Sequence, residues 1–290
     1  MAQNSSTTPA LLRFASALAV TALLAAAAGV GPQPVVPAAV PPVEATPPVG
    51  AATPVNAPPA PPRSPERVIR ASYCTHSAGF VHPCLPLTRE VMSRLGQELD
   101  WLEVTVSNEV ADLTPAVLDS LDVLILYTSG TLPMSEEQKE ALQRLLARGA
   151  GLVGVHSASD TFHDWDWFMT TIGGEFDGHP WHEEVAVTVL DTGHPATRHL
   201  GPSFRIKDEI YQFKRLNDAR HTLMDLDRES VTHSVLPGRL YPLAWTLEFG
   251  KAPRPGRVFY TALGHREEVW QDRRFIDHLL GGVRWAGRLE

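Results

Sequence analysis

Residues 123–127 read Val-Leu-Ile-Leu-Tyr, a run with no polar face. A strand whose alternate side chains are all apolar must be covered on both sides, which is the situation of a central strand in a parallel sheet flanked by helices. The neighbouring segments agree with that reading. Ser135 and Gln138 have capping-box spacing for a helix running to Arg148, and Gly149 is placed to end it. Leu152–Val155 is the next apolar run, closing on His156. Upstream, Val68–Tyr73 predicts a first buried strand, followed by a loop from Cys74 to Pro86. A helix from about Thr88 to Leu99 then carries Val91, Leu95 and Leu99 on one face. Trp101–Val106 predicts a second strand, and Thr114-Pro115 an N-cap with proline in the first turn of a short helix. This β-α-β-α-β alternation predicts an α/β fold with a doubly wound, mainly parallel sheet and right-handed crossovers.

After His156 the pattern loosens. Val185–Leu190 alternates and predicts an antiparallel or edge strand. Leu243–Phe249 and Arg257–Leu263 predict two more strands, joined by a turn over Lys251–Gly256, and a last helix is expected over Asp272–Trp285. In open α/β sheets ligands bind beyond the carboxyl ends of the strands. That rule singles out the loops beginning at Tyr73, Tyr127, His156 and Leu263. Three of the four carry an early histidine: His76 and His82, then His156, then His265. Imidazoles gathered at one sheet edge suit a metal or acid–base cluster. With 12 histidines in the chain, coincidence is an open alternative on the residues alone.

The N-terminal quarter is of another kind. Arg13 precedes the apolar run Phe14–Ala28, whose length is that of a signal-peptide core, and Ala26 and Ala28 place a cleavage site before Gly29. Residues 1–28 are therefore expected to be a signal peptide or an uncleaved N-terminal anchor. Residues 29–65 hold 13 of the 25 prolines among Ala and Val, a composition that builds neither helix nor sheet and predicts a disordered, extended linker. A single domain is expected over 66–290. Export, to the periplasm or the medium, would permit a disulfide between Cys74 and Cys84, and two free thiols is the equal alternative. The formal net charge of −8 and the lack of a basic run argue against a nucleic-acid partner. Membrane contact is expected only through the N-terminus, if it is uncleaved.

Gly154-Val155-His156-Ser157-Ala158 has the spacing of a nucleophile elbow, a tight strand-to-helix turn with small flanking residues, but with histidine at the projecting position. Ser157 lies one position off and is expected to cap a helix. Several longer segments follow this one in a fixed order: Val153–Phe168 (VGVHSASDTFHDWDWF), Ile172–Pro180 (IGGEFDGHP), Asp191–Leu200 (DTGHPATRHL), Asp208–Phe213 (DEIYQF) and Val258–Trp270 (VFYTALGHREEVW). With Gly79–Cys84 (GFVHPC) before them and Gly281–Ala286 (GGVRWA) after, this order and spacing resembles the trehalose-utilisation (ThuA-like) family over about Val68–Trp285.

The resemblance implies a flavodoxin-like, class I glutamine-amidotransferase-like sheet without the catalytic cysteine. It also implies disaccharide or keto-sugar metabolism and a divalent metal, zinc or similar. The residues carried over are His82, His156 and His265 as metal ligands, with Glu209 and His156 as catalytic groups. Neither cysteine lies near His156 in sequence, which argues against amide hydrolysis by a Cys-His pair. Trp165, Asp208 and Tyr211 are expected to bind a small carbohydrate. Each has a plainer reading: His82 shaping its loop, His156 a satisfied buried imidazole, His265 a cap, Asp208 and Tyr211 pinning the insertion, Trp165 core packing. His179 and His194, each before a proline, read as turn residues. A metal-assisted sugar enzyme or binder is the expected function, with a non-catalytic carbohydrate-binding or protein-interaction domain as the alternative.

Overall fold

A computed structural model describes residues 67–290 apart from 233, 234, 236, 237, 251 and 252, all within the unit Ala60–Glu290. The signal-like segment and the proline-rich stretch lie outside the described residues. The chain runs β1 (Ile69–Cys74), α1 (Leu85–Glu98), β2 (Leu102–Ser107), α2 (Pro115–Ser120), β3 (Val123–Leu126), α3 (Glu136–Ala147), β4 (Gly151–Val155) and α4 (Asp166–Ile172). It continues with β5 (Glu175–Phe176), β6 (Trp181–Val189), β7 (Ser203–Ile210), β8 (Phe213–Lys214), β9 (His221–Leu226), β10 (Pro242–Phe249), β11 (Gly256–Thr261), α5 (Glu267–Gln271) and α6 (Arg273–Ala286). Among these, no helix is long and apolar enough to cross a membrane.

Nine strands form one sheet in the order β2-β1-β3-β4-β11-β10-β9-β6-β7. The first five are mutually parallel, with the doubly wound order of a flavodoxin-like sheet in which β11 takes the fifth place. The remaining four pair antiparallel. The order reverses between β1 and β3, so the crevice at their carboxyl ends is where such a sheet takes ligands. All residues of β3 and β4 are buried, as their continuous apolar runs require. α1 buries Val91, Met92 and Leu95 on one face, and α3 buries Ala141, Leu142, Leu145 and Leu146. Each large aliphatic side chain so covered contributes roughly 1.5–3 kcal/mol.

The local signals act as their chemistry dictates. The Ser135 hydroxyl accepts from the Gln138 amide while the Gln138 side chain accepts from the Ser135 amide, the Thr114 hydroxyl caps α2, and Gly149 leaves α3 at φ 88°. α1 starts at Leu85, three residues earlier than periodicity indicates, because Pro86 fits the first turn, where no amide is needed. The alternating Val185 segment is antiparallel but not an edge, since it lies between β7 and β9. β7 itself, Ser-Phe-Arg-Ile-Lys-Asp-Glu-Ile, has too many charges to read as a strand and is the sheet's edge. Cys74 and Cys84 are both free and buried, so the disulfide alternative is not the one adopted. The Cys84 thiol lies against the Tyr127 hydroxyl at 3.3 Å and the Gly264 carbonyl at 3.6 Å.

Candidate metal centre

His156 leaves β4 with φ 47°, a left-handed conformation costly for any side chain but glycine. The elbow is therefore real. Its neighbours must be small: a Cβ on Gly154 would stand 2.5 Å from Ile172 Cδ1, 2.9 Å from the Tyr260 ring and 3.3 Å from Ala158. The Tyr260 hydroxyl donates to the His156 carbonyl at 2.6 Å and locks the turn. His156 Nδ1 lies 2.6 Å from the Ala262 carbonyl. A carbonyl can only accept, so Nδ1 carries a proton, and Nε2 is the nitrogen that faces Glu209. Ser157 caps nothing; its hydroxyl is buried without a partner among the described residues.

His265 is placed by the loop after β11. Gly264 turns at φ 126°, and its carbonyl accepts from the Tyr127 hydroxyl at 2.9 Å and Trp270 Nε1 at 2.8 Å. The Asp208 carboxylate accepts from the Gly264 amide at 2.7 Å and the Arg266 amide at 3.2 Å, gripping the loop on both sides of His265. Asp208 is fully buried, and burial raises its carboxyl. It positions His265 rather than facing a ligand, which corrects its expected role in substrate binding. His82 comes from the loop after β1, buried, with Nδ1 unpartnered among the described residues. Its ring meets those of His156 at 4.9 Å and His265 at 5.2 Å. Burial, then the neighbouring His156 and His265, push its imidazole down to about 3, so it stays neutral and able to donate a lone pair.

Glu209, on β7 opposite His182 of β6, supplies the fourth group. Its Oε2 is 3.3 Å from His156 Nε2 and 3.1 Å from His265 Nδ1, and those two nitrogens are 3.3 Å apart. Burial alone would raise the carboxyl, but the His156 and His265 nitrogens facing it hold it well below the usual carboxylate range. Ligand atoms of His82, His156, Glu209 and His265 all lie within 4.8 Å of one another.

These residues fit a divalent ion. His156 Nε2 and His265 Nδ1 both face Glu209 Oε2, an approach satisfied by a shared proton or by a divalent cation held between them. A tetrahedral ion with bonds of about 2.0–2.1 Å sets its ligand atoms about 3.3–3.4 Å apart. The three separations match such a face to within a few tenths of an ångström. Three imidazoles and one carboxylate are also a donor set zinc accepts.

Tyr211 flanks the group with its ring 4.1 Å from His156. Trp165 stands elsewhere: its ring neighbours are Phe162, Trp167 and Phe168, with Lys139 over its face, and none belongs to the centre. It is an aromatic packing residue at the start of α4, a correction to its expected role in binding. His76 points away, to the Asn108 carbonyl. His194, as expected of a turn residue, accepts from the Ala196 amide. His179 does not stay in its turn: its Nδ1 is 3.3 Å from Glu209 Oε1, the oxygen turned away from His156 and His265. The signal that would have found it is its place in the Ile172–Pro180 segment, beside a carboxylate with a second oxygen to satisfy. Cys84, distant from His156 in sequence, packs behind Tyr127, whose ring is 5.8 Å from His156. Burial pushes its thiol up to about 11. It is a buried thiol rather than a thiolate nucleophile.

Fold and centre together define a doubly wound α/β domain with a histidine–carboxylate cluster at the carboxyl edge of its parallel sheet. The family model described as ThuA, trehalose utilisation, matches residues 70–286, and the chain belongs to that family. A ThuA-like protein from Bacteroides uniformis is similar in structure with a TM-score of 0.62, at 21% identity, covering 81% of this chain and 95% of its own. One from Parabacteroides merdae is similar at the same identity and TM-score, covering 76% and 90%. A cytoplasmic protein from Salmonella typhimurium shares the fold at a TM-score of 0.50 and 9% identity, covering 74% and 98%. At these identities the likeness is one of fold. No curated protein matches the chain.

Proposed function

We propose that this chain is an exported, metal-assisted member of its family that acts on a sugar or keto-sugar and has no amidotransferase activity. The observation that carries the reading is the convergence of His156 Nε2, His265 Nδ1 and Glu209 Oε2, with His82 beside them, at separations that a bridging cation would set. A divalent ion there supplies Lewis acidity toward a carbonyl or vicinal hydroxyls. The chain's own residues do the rest. The Ala262 carbonyl holds His156 by Nδ1, Tyr211 lies against its ring, and Glu209 serves either as fourth ligand or as the base that moves a proton at the substrate oxygen. A sugar as the ligand is supported by the family's description. The absence of amidotransferase chemistry is supported by histidine at the elbow and by the protonated Cys84. Export is supported by Phe14–Ala28 and the small residues before Gly29.

The test is elemental analysis of protein purified without affinity tag or chelator, followed by a panel of keto-disaccharides. About one divalent ion per chain is expected, lost in His82→Ala and His156→Gln. Glu209→Gln should stop turnover; if it changes only ligand retention, the domain binds without chemistry. Secreted protein should begin near Gly29, and an intact form starting at Met1 in the cytosol would contradict export.

A further inference from the structure

We infer that Phe80 is the stacking wall of this centre, a fixed ring against which the C–H face of a pyranose or furanose lies while its hydroxyls reach the histidine–carboxylate cluster. This deepens the sugar reading above and rests on it. Phe80 is 60% exposed and Val81 65%, immediately before buried His82. The Phe80 ring meets the His82 ring edge-on at 4.8 Å. An apolar side chain so exposed, beside an imidazole with an unpartnered nitrogen, stands at the mouth of the site rather than in the core.

The backbone beneath it is held firmly. The Ala78 and Gly79 amides donate to the Ser129 carbonyl at 2.8 and 3.1 Å, and the Ser129 hydroxyl donates to the Phe80 carbonyl at 2.7 Å. Gly79 and Gly130 pass so closely that a Cβ on Gly130 would stand 2.5 Å from the Gly79 nitrogen. The Gly130 amide in turn donates to Asp160 in the loop after β4. Three loops of the sheet edge are thus tied together under one exposed ring. A wall fixed before the ligand arrives loses little entropy on binding. On the Glu209 side, Phe176 lies 4.4 Å from Tyr211 and stacks with His179 at 5.8 Å. Aromatic faces around a few convergent polar groups are the make-up of a small-ligand site. In the loop between β1 and α1 the large exposed apolar side chains are two, Phe80 and Val81, which matches one sugar ring and falls short of a protein interface of roughly 800 Å² per partner.

The experiment compares wild type, Phe80→Ala and Phe80→Trp in their metal-loaded forms by calorimetry. The probes are trehalose and sorbitol, an open-chain polyol without a ring face. Phe80→Ala should weaken trehalose about tenfold or more with metal content unchanged. Phe80→Trp should restore it, and sorbitol should not distinguish the variants. Trehalose binding within about twofold of wild type in Phe80→Ala overturns the assignment, as does a fall in its metal content. So does a change in its mass in solution with binding intact, which would make the patch a protein contact. Wild-type protein that takes neither trehalose nor any ring of the keto-disaccharide panel sinks the sugar reading itself, a different result from a silent Phe80 variant.

Discussion

His156 is asked to do two things at once: to hold a strained backbone angle and to aim a ring nitrogen. Full burial and the bond to the Ala262 carbonyl mean that its removal affects more than metal. His156→Gln should abolish metal retention and also cost about 1–3 kcal/mol, because a buried carbonyl loses its donor; equilibrium denaturation of the apo forms checks the second part. His179 offers a gentler probe. Holding Glu209 by its outer oxygen, it should act through orientation, so His179→Ala should weaken metal roughly 10- to 100-fold without abolishing binding, and His179→Asn should recover part of the loss. Competition with a chromophoric chelator measures both. His82, His156 and His265 were legible because each follows a strand that periodicity reveals. The roles of Asp208 and Trp165 were not: one is set by amides more than fifty residues away, and the other by which way a short helix faces.

The site is assembled from three connections and the strand β7, and the elements beneath them fix its geometry. Gly154 lets α4 and β11 close on the base of the elbow. Ile172 Cδ1 can swing aside for a methyl group, but the Tyr260 ring, bonded to the His156 carbonyl, cannot. Gly154→Ala should therefore cost about 1–3 kcal/mol, seen in urea unfolding, and lower metal affinity by disturbing the turn. Asp208 couples β7 to the loop after β11. Asp208→Ala strips two buried amides of their acceptor and should weaken metal through His265, while Asp208→Asn, retaining one oxygen, should do so less. The parallel half of the sheet was readable because its strands are apolar on both faces and its helices carry explicit caps. β7 and β9 escaped because their pattern depends on partners from distant parts of the chain, and β7 is an edge that tolerates exposed Arg205 and Lys207. The strand that delivers Glu209 was thus the hardest to see, and Glu209 itself came only from the family resemblance.

For the molecule as a whole, two histidines away from the centre set its response to acid. His278 is fully buried, with Nδ1 donating to the Ala196 carbonyl, and burial pushes its imidazole down to about 3; burial likewise takes His194 down to about 4. Both folded values lie below the unfolded value of about 6.5. The stability they allow is complete above that pH and is lost as pH falls, because the unfolded chain takes up protons the folded one refuses. Each steepens the acid limb by up to about 1.4 kcal/mol per pH unit between about 6.5 and its folded value. Thermal unfolding from pH 7.5 to 5 should show the decline, and His278→Gln should flatten it while lowering stability at pH 7.5. The donors of the centre also span the chain, from residue 82 to residue 265. A ribosome that has released the parallel strands as far as β4 has delivered two of the four, Glu209 waits for the edge hairpin, and His265 waits for the last strand. A divalent ion that needed all four donors would be held only by the finished chain. Its uptake would then be a timer, reporting that synthesis and folding have both reached their end.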